Sequence, residues 1–135
     1  MKVFLDTNVL VAAFTSRGLC ADVVRVALAD HTVLTGEVNL RELRRVLRQR
    51  MKVPPEQADR VESLLRAQTV VRKPRRVPDV SVRDPDDVWV LASALVGEAE
   101  VLVTGDHDLL ELTDPPLPVL SPRQFWELVR TRQAE

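Results

Sequence analysis

The sequence has few residues that build disulfides or sulfur-bound metal sites, and few aromatic ones. Cys20 is its only cysteine, aromatic residues make up 4% of the 135 residues, and tyrosine is absent. A single cysteine excludes an intrachain disulfide and argues against a cysteine-based zinc site. We expect Cys20 to be a small, buried residue of an apolar helix.

Long hydrophobic runs are also absent. No apolar stretch approaches the roughly 18 to 20 residues that span a bilayer, and a strand-like segment begins at residue 2 without a basic leader. With 45% hydrophobic and 29% charged residues, the composition is that of a globular protein. We therefore expect a cytoplasmic protein without membrane contact, folded as a single domain over residues 1–135.

The formal net charge of −1 conceals an uneven distribution. Residues 41–76 contain 12 Lys/Arg and 4 Asp/Glu, a balance of +8, whereas the other 99 residues contain 7 and 16, a balance of −9. A basic segment of this kind can bind phosphate groups through long-range and local electrostatic attraction. Nucleic acid is therefore a candidate partner, although the net charge alone gives no reason to expect it.

Strand-like and helix-like patterns alternate along the whole chain. Short apolar, β-branched runs predict strands near residues 2–5, 32–34, 69–72, 100–103 and 118–120. Amphipathic or apolar segments predict helices near 8–14, 19–30, 37–51, 55–67, 86–97 and 122–132, with a short turn at 107–111 and an irregular Pro-rich crossing at 74–85. This order predicts the α/β class and a three-layer α/β/α sandwich around a parallel five-stranded sheet, with ligands bound outside the carboxyl ends of the strands.

Two acidic residues follow predicted strands directly. Asp6 follows the first strand in the segment "KVFLDTN", and Asp106 follows the fourth strand in "VLVTGDHDLL". Parallel strands deliver both carboxylates to the same edge of the sheet. Each residue could instead be only a helix N-cap, a position at which Asp is preferred.

A third acidic residue, Glu42, lies within a basic helix. At 100° per residue, Leu40, Leu43, Val46 and Leu47 form the core stripe, and Arg41, Arg44, Arg45 and Arg48 form a basic stripe. Glu42 falls between Val46 and Arg45, so it borders the core. The alternative is a surface ion pair with Arg45 or Arg41.

The stretch "RDPDD" places three more carboxylates before the apolar run "VWVLASAL". Asp84 as N-cap, Pro85 at the first helical position and Asp87 at the third would begin a helix without any catalytic role. The same layout recurs at Ser121, Pro122 and Gln124, where we expect a cap alone. Asp87 is the candidate site residue because it adjoins the apolar helix run, and Asp84 and Asp86 remain alternatives.

If Asp6, Glu42, Asp87 and Asp106 converge, their charges raise one another's pKa and oppose ionisation unless a cation compensates. Oxygen ligands alone favour Mg²⁺ or Mn²⁺. His107 could suggest zinc or iron, but we interpret it as a solvated surface residue.

At these residues the sequence resembles the PIN-domain nucleases, especially the VapC-type toxins of toxin–antitoxin pairs. "FLDTNVLVAAF", the Glu of "LREL", "RDPDDVWVLASAL" and "VLVTGDHDLL" match the acidic motifs of that family in order and spacing. The resemblance implies a parallel five-stranded α/β/α fold, a partner antitoxin protein and a homodimer. It also implies roles for the matching residues. Asp6, Glu42, Asp87 and Asp106 would be the catalytic, metal-binding acids, Asp108 a less regular fifth one, and Asn8 and Thr104 supporting hydrogen-bonding residues.

Our hypothesis is therefore an Mg²⁺- or Mn²⁺-dependent endoribonuclease that hydrolyses RNA phosphodiester bonds. The basic stripe of Arg41, Arg44, Arg45 and Arg48 would hold the RNA backbone, unless that face is merely solvated. One alternative is a catalytically weak binding module that docks RNA or a partner protein. Another, a phosphotransferase with Asp6 as nucleophile, is weaker because Asn8 cannot serve as the general acid.

Overall fold

One sheet of five short strands forms the middle layer of the fold. The computed structural model describes residues 1–134, and within them the strands are β1 (Lys2–Leu5), β2 (Thr32–Gly36), β3 (Thr69–Val71), β4 (Val101–Val103) and β5 (Val119–Leu120). All neighbouring strands are parallel, in the order β3-β2-β1-β4-β5. The register pairs Val3 with Val33 on one side and with Val101 on the other. The predicted fold class is confirmed.

The alternation of side chains along the central strands divides the core into two apolar clusters. Val3, Leu5, Val33, Val101 and Val103 belong to one cluster, whereas Phe4, Leu34 and Leu102 belong to the other. Each of these residues is at most 2% exposed. A strand buried on both faces must be apolar at every position, which is why the strands read as continuous Val, Leu and Phe runs.

Helices cover both faces of the sheet and complete the three layers. Within residues 1–134 they are α1 (Thr7–Thr15), α2 (Leu19–Asp30), α3 (Glu37–Arg45), α4 (Pro55–Arg66), α5 (Pro85–Val96), α6 (His107–Leu110) and α7 (Pro122–Ala134). Buried residues of α1, α2, α3, α4 and α7 join the Val3 cluster, and those of α5 and α6 join the Phe4 cluster. Cys20 of α2 is only partly buried, packed against the Val3 cluster.

The helix predicted over residues 37–51 is not one regular α-helix. It changes at Val46 into a wider π-helical turn, Val46–Arg50, in which the amide of Met51 donates to the carbonyl of Val46 at 3.0 Å. The Arg48 guanidinium binds the Val53 carbonyl beyond the turn, and Leu47 stays 1% exposed. The other predicted elements differ from the observed ones by at most two residues at either end.

The predicted caps and the irregular crossing are confirmed. Ser121 Oγ accepts from the amide of Gln124 at 3.1 Å, and Gln124 Oε1 accepts from the amide of Ser121 at 2.8 Å. This reciprocal capping box begins α7. Residues 74–84 form no helix or strand between β3 and α5.

No helix within residues 1–134 has both the length and the apolar composition that crossing a membrane requires.

A glycine at the end of α5 is required for close packing. A Cβ at Gly97 would lie 2.8 Å from Leu34 Cδ2 and 2.8 Å from Val71 Cγ2, both of which belong to buried residues. We therefore expect Gly97→Ala to lower the free energy of unfolding by about 1–3 kcal/mol, the usual effect of overpacking. Gly105→Ala is the matched control, because its nearest contact, Asn8 Oδ1, would lie at an ordinary 3.5 Å. Equal denaturant midpoints for the two variants would contradict this account.

Candidate active site at the carboxyl edge of the sheet

Asp6 directly follows strand β1 and is only 5% exposed. Asp6 is also the N-cap of α1, since its Oδ1 accepts from the amide of Thr7 at 2.7 Å. The sequence offered two alternatives for Asp6, a helix N-cap or an acid at the edge of the sheet. In the structure Asp6 is both. Capping uses only part of the hydrogen-bonding capacity of a carboxylate, which has about four acceptor positions.

Three side chains from other elements also donate to Asp6. Thr104 Oγ1 and Asn8 Nδ2 donate to Oδ2 at 2.7 and 3.3 Å, and Asn39 Nδ2 donates to Oδ1 at 3.1 Å. Burial raises the pKa of Asp6, and the bonds from Thr104, the Thr7 amide and Asn8 oppose that rise without cancelling it. Because donors engage both oxygens, Asp6 is poorly disposed to act as a covalent nucleophile.

Sequence reasoning missed Asn39, which is 1% exposed and also donates to Thr7 Oγ1 at 3.0 Å. A signal was present, since Asn39 lies four and seven residues before Leu43 and Val46 and so occupies the core stripe of α3. A polar residue on a core stripe needs a buried partner. Here that partner is the carboxylate of Asp6.

The turn after β4 brings a second carboxylate to the same edge. The amide of Asp106 donates to Thr104 Oγ1 at 3.0 Å, and the amide of Gly105 donates to Asn8 Oδ1 at 2.9 Å. Asp106 in turn caps α6, accepting from the amide of Asp108 at 2.9 Å. Thr104 and Asn8 therefore link the ends of β1 and β4 through hydrogen bonds.

The third carboxylate comes from the first turn of α5. Asp84 is the N-cap and accepts from the amide of Asp86 at 3.0 Å, whereas Asp87 points inward and is 8% exposed. Asp87 Oδ2 is buried, and no residue in the described part of the chain donates to it. Burial, followed by the neighbouring charges of Asp106, Asp84 and Asp6, raises the pKa of Asp87 to about 7.

Asp87, Asp106 and Asp108 each offer a carboxylate oxygen, and the three atoms lie within 4.8 Å of one another. A buried oxygen without a donor, surrounded by carboxylates that oppose its ionisation, is the environment that a bound cation would relieve. Hard oxygen ligands suit Mg²⁺ or Mn²⁺. The residues present therefore fit such an ion, and Asp6 lies close enough for its charge to influence Asp87.

Glu42 does not join this carboxylate group in the described residues. It forms two hydrogen bonds with Arg45, at 2.6 Å from Nη2 and 3.2 Å from Nε, and its side chain is 46% exposed. The surface ion pair that was the alternative for Glu42 is thus present. Glu42 still lines the same cavity as Asp6 and Asp106.

That cavity has a volume of about 680 Å³ and two walls of opposite charge. Acidic residues from the ends of β1 and β4 and from the start of α5 form one wall. Cationic residues from α3, its π-helical turn and the segment after β3 form the other, namely Arg41, Arg45, Arg50 and Lys73. Lys73 comes from the segment after the edge strand β3, whereas the three arginines come from the helix and turn that follow the central strand β2.

Two arginines of the basic stripe predicted to bind RNA, Arg44 and Arg45, form ion pairs with nearby carboxylates. Arg44 pairs with Asp59 at 2.7 Å and with Glu62 at 3.4 Å. Arg41 and Arg45 line both the acidic cavity and a neighbouring groove of about 510 Å³, whereas Arg44 and Arg48 line only that groove. His107 begins α6 and is exposed, as expected.

Comparisons with known proteins identify the family and support the fold. The sequence model of the PIN domain family matches residues 2–108, and no curated protein matches significantly. Among solved structures, VapBC2 from Rickettsia felis, bound to a DNA fragment from their promoter, has a TM-score of 0.65 at 16% identity, covering 90% of this chain and 98% of the other. VapBC-1 from nontypeable Haemophilus influenzae gives 0.63 at 20% identity, with 91% and 99% covered. VapC20 of Mycobacterium tuberculosis, described as a sarcin-ricin loop cleaving toxin, gives 0.56 at 14% identity, with 83% and 97% covered.

Proposed function

Because the chain belongs to the PIN domain family, we propose that it is an endoribonuclease that hydrolyses RNA phosphodiester bonds with the aid of Mg²⁺ or Mn²⁺. The observation that carries this proposal is the convergence of Asp6, Asp87 and Asp106 from three separate elements on one cavity. Such a group of like charges, one member of which lacks a donor, has little structural value of its own.

In this proposal, Asp6, Asp87 and Asp106, with Asp108 beside them, hold the cation. When bound, the ion supplies Lewis-acid stabilisation of charge on the phosphate oxygens and lowers the pKa of the attacking water. Asp6 is held rigidly by Thr104, Asn8 and Asn39, so it keeps its orientation when the other carboxylates adjust.

The cationic wall would bind the RNA backbone. Arg41, Arg50 and Lys73 face the cavity, and neutralisation of phosphates by such residues makes binding salt-dependent. Arg45 binds Glu42 in this structure. A phosphate that took the place of Glu42 on Arg45 would free the carboxylate to join the metal-binding acids, which is the role that we assign to it.

The test is cleavage of a labelled, structured RNA by purified wild-type and Asp6→Asn protein, each with Mn²⁺, with Mg²⁺ and with a chelator. Cleavage that needs the metal and is lost in the variant supports the proposal. Equal cleavage by both proteins points to a contaminant or to another site. A cellular effect that persists in Asp6→Asn would favour the binding-module alternative.

Thr104 is expected to matter for the site far more than for the fold. Thr104→Val keeps the shape of the side chain but removes its bonds to Asp6 and to the Asp106 amide. We expect a loss of about 10- to 100-fold in Mn²⁺ affinity, typical of residues that orient metal ligands. Thr35→Val is the matched control, since Thr35 is equally buried and donates only to the Leu5 carbonyl, at 3.3 Å. Equal Mn²⁺ affinities in titration calorimetry would refute this role.

We further propose that the protein is the toxin of a toxin–antitoxin pair, that it acts in the cytoplasm and that it forms a homodimer. The support is its likeness in fold to two VapBC structures and to VapC20, a toxin. Growth arrest on expression, relieved by co-expression of the neighbouring open reading frame, would support the toxin role. Sedimentation of the purified protein tests the dimer.

A further inference from the structure

Trp89 is placed differently from the other aromatic residues. Four of the five aromatics belong to the two apolar clusters or pack against them: Phe4, Phe14, Phe125 and Trp126. In the part of the chain that the structure describes, Trp89 belongs to neither cluster and instead lines the cavity with the acidic wall. A half-buried indole on the wall of a charged cavity gains little from core packing.

The position of Trp89 on α5 directs it toward that cavity. Trp89 follows Asp86 by three residues, so the two lie on the same side of the helix. Asp86 and Trp89 both line the cavity, and so do their neighbours Asp87 and Val90. The hydroxyl of Ser93 donates to the Trp89 carbonyl at 2.9 Å, within a helix that is otherwise packed against the Phe4 cluster. The indole is therefore carried by a rigid element next to the carboxylates.

A cation from another element covers the indole. Lys73 belongs to the segment that follows β3, and its Nζ lies 4.8 Å from the centroid of the Trp89 ring. No ion pair of Lys73 with a carboxylate occurs within the described residues. A cation on a surface indole is a weak contact, so the ring and the ammonium are both available to a ligand that offers a planar base and a phosphate.

We propose that Trp89 and Lys73 form a subsite for one unpaired nucleotide beside the cleaved phosphate. The base stacks on the indole, and Lys73 moves from the ring to the adjoining phosphate. This inference rests on the proposed ribonuclease function and adds a substrate requirement to it. A base within a duplex is already stacked and paired, so it cannot reach the ring, whereas a base in a loop or a single strand can.

Binding measured without cleavage tests the subsite independently of catalysis. The probe is a short, unstructured, fluorescein-labelled RNA, titrated with protein in a chelator, and the same RNA annealed to its complement. We expect Trp89→Ala to weaken single-strand binding roughly 5- to 150-fold, as for the loss of one base stack. Trp89→Phe should retain most of the affinity, and the duplex should bind both variants as it binds the wild type. Equal weakening for single strand and duplex, or none for the single strand, would overturn the proposal.

Tryptophan fluorescence supplies a second measurement with a matched control. Trp89→Phe leaves Trp126 as the only indole, and Trp126→Phe leaves Trp89. RNA should quench the emission of the Trp126→Phe protein and leave that of the Trp89→Phe protein unchanged. Quenching in the reverse pattern would refute the subsite even if one variant were unstable. If RNA binding depends on Trp89 but neither the wild type nor any variant shows metal-dependent cleavage, the subsite stands and the nuclease proposal is wrong. If the wild type cleaves RNA and Trp89→Ala binds RNA as the wild type does, the nuclease proposal stands and the subsite is wrong.

Discussion

Asp106→Asn protein should cleave RNA about 10³-fold more slowly than the wild type in saturating Mn²⁺, the equivalent of several kcal/mol of transition-state stabilisation. Asp106 contributes a ligand oxygen to the carboxylate group and also influences Asp6 and Asp87 through its charge. The amide of Asn is a neutral and much weaker ligand for a divalent cation. It can still accept from the Asp108 amide, so the cap of α6 should survive.

The control for this prediction is Asp22→Asn. Asp22 of α2 has a side chain that is 42% exposed and pairs with Arg25, and it does not line the acidic cavity. Its substitution should leave the cleavage rate within a factor of about two. A surface ion pair contributes about 1 kcal/mol or less to stability, and neither Asp22 nor Arg25 lines the acidic cavity. Single-turnover rates with labelled RNA measure both effects. Comparable rates for Asp106→Asn and wild type would mean that this carboxylate group is not the reaction centre.

The second large effect concerns stability. Asp87→Asn should make the metal-free protein more stable at pH 8 while abolishing metal-dependent cleavage. In the folded protein the pKa of Asp87 is raised from its ordinary value of 3.8 to about 7, chiefly by burial. Between these two values the folded state binds the extra proton, so the stability contributed by Asp87 falls as pH rises from about 4 to about 7 and stays low above it. Asn has no proton to lose, and the penalty disappears.

Thermal unfolding in a chelator at pH 5.5 and pH 8 measures this effect. The gain in midpoint for Asp87→Asn over wild type should be larger at pH 8 than at pH 5.5, and a change of 1 kcal/mol moves the midpoint by roughly 2–8 °C for domains in this size range. His31, whose pKa is lowered by burial, destabilises the fold at low pH in both proteins, so it cancels in the comparison. Mn²⁺ should stabilise the wild type more than the variant. An equal gain at both pH values would show that Asp87 does not carry the proton.

The acids were found from the sequence because strand ends are local features. A short apolar, β-branched run such as "VFL" favours a strand buried on both faces, and the residue after such a strand lies at the carboxyl edge of a parallel sheet. The orders "VTGD" and "RDPDD" marked helix starts in the same way, through cap chemistry that acts over two or three residues. Strand and helix assignments followed from the same short-range patterns, and only the π-helical turn after Arg45 departed from them.

The amino-acid sequence by itself determined the element order, the parallel sheet and the edge at which Asp6 and Asp106 lie, because apolar periodicity and caps act between near neighbours. The tertiary structure decided which polar groups meet. Asn39 reaches Asp6 across 33 positions and Thr104 reaches it across 98, and Glu42 pairs with Arg45 instead of joining the carboxylate group. Hydrogen bonds form only within a few tenths of an ångström of their ideal length. Such precision depends on how the helices and the sheet pack, and no periodicity in the sequence encodes it.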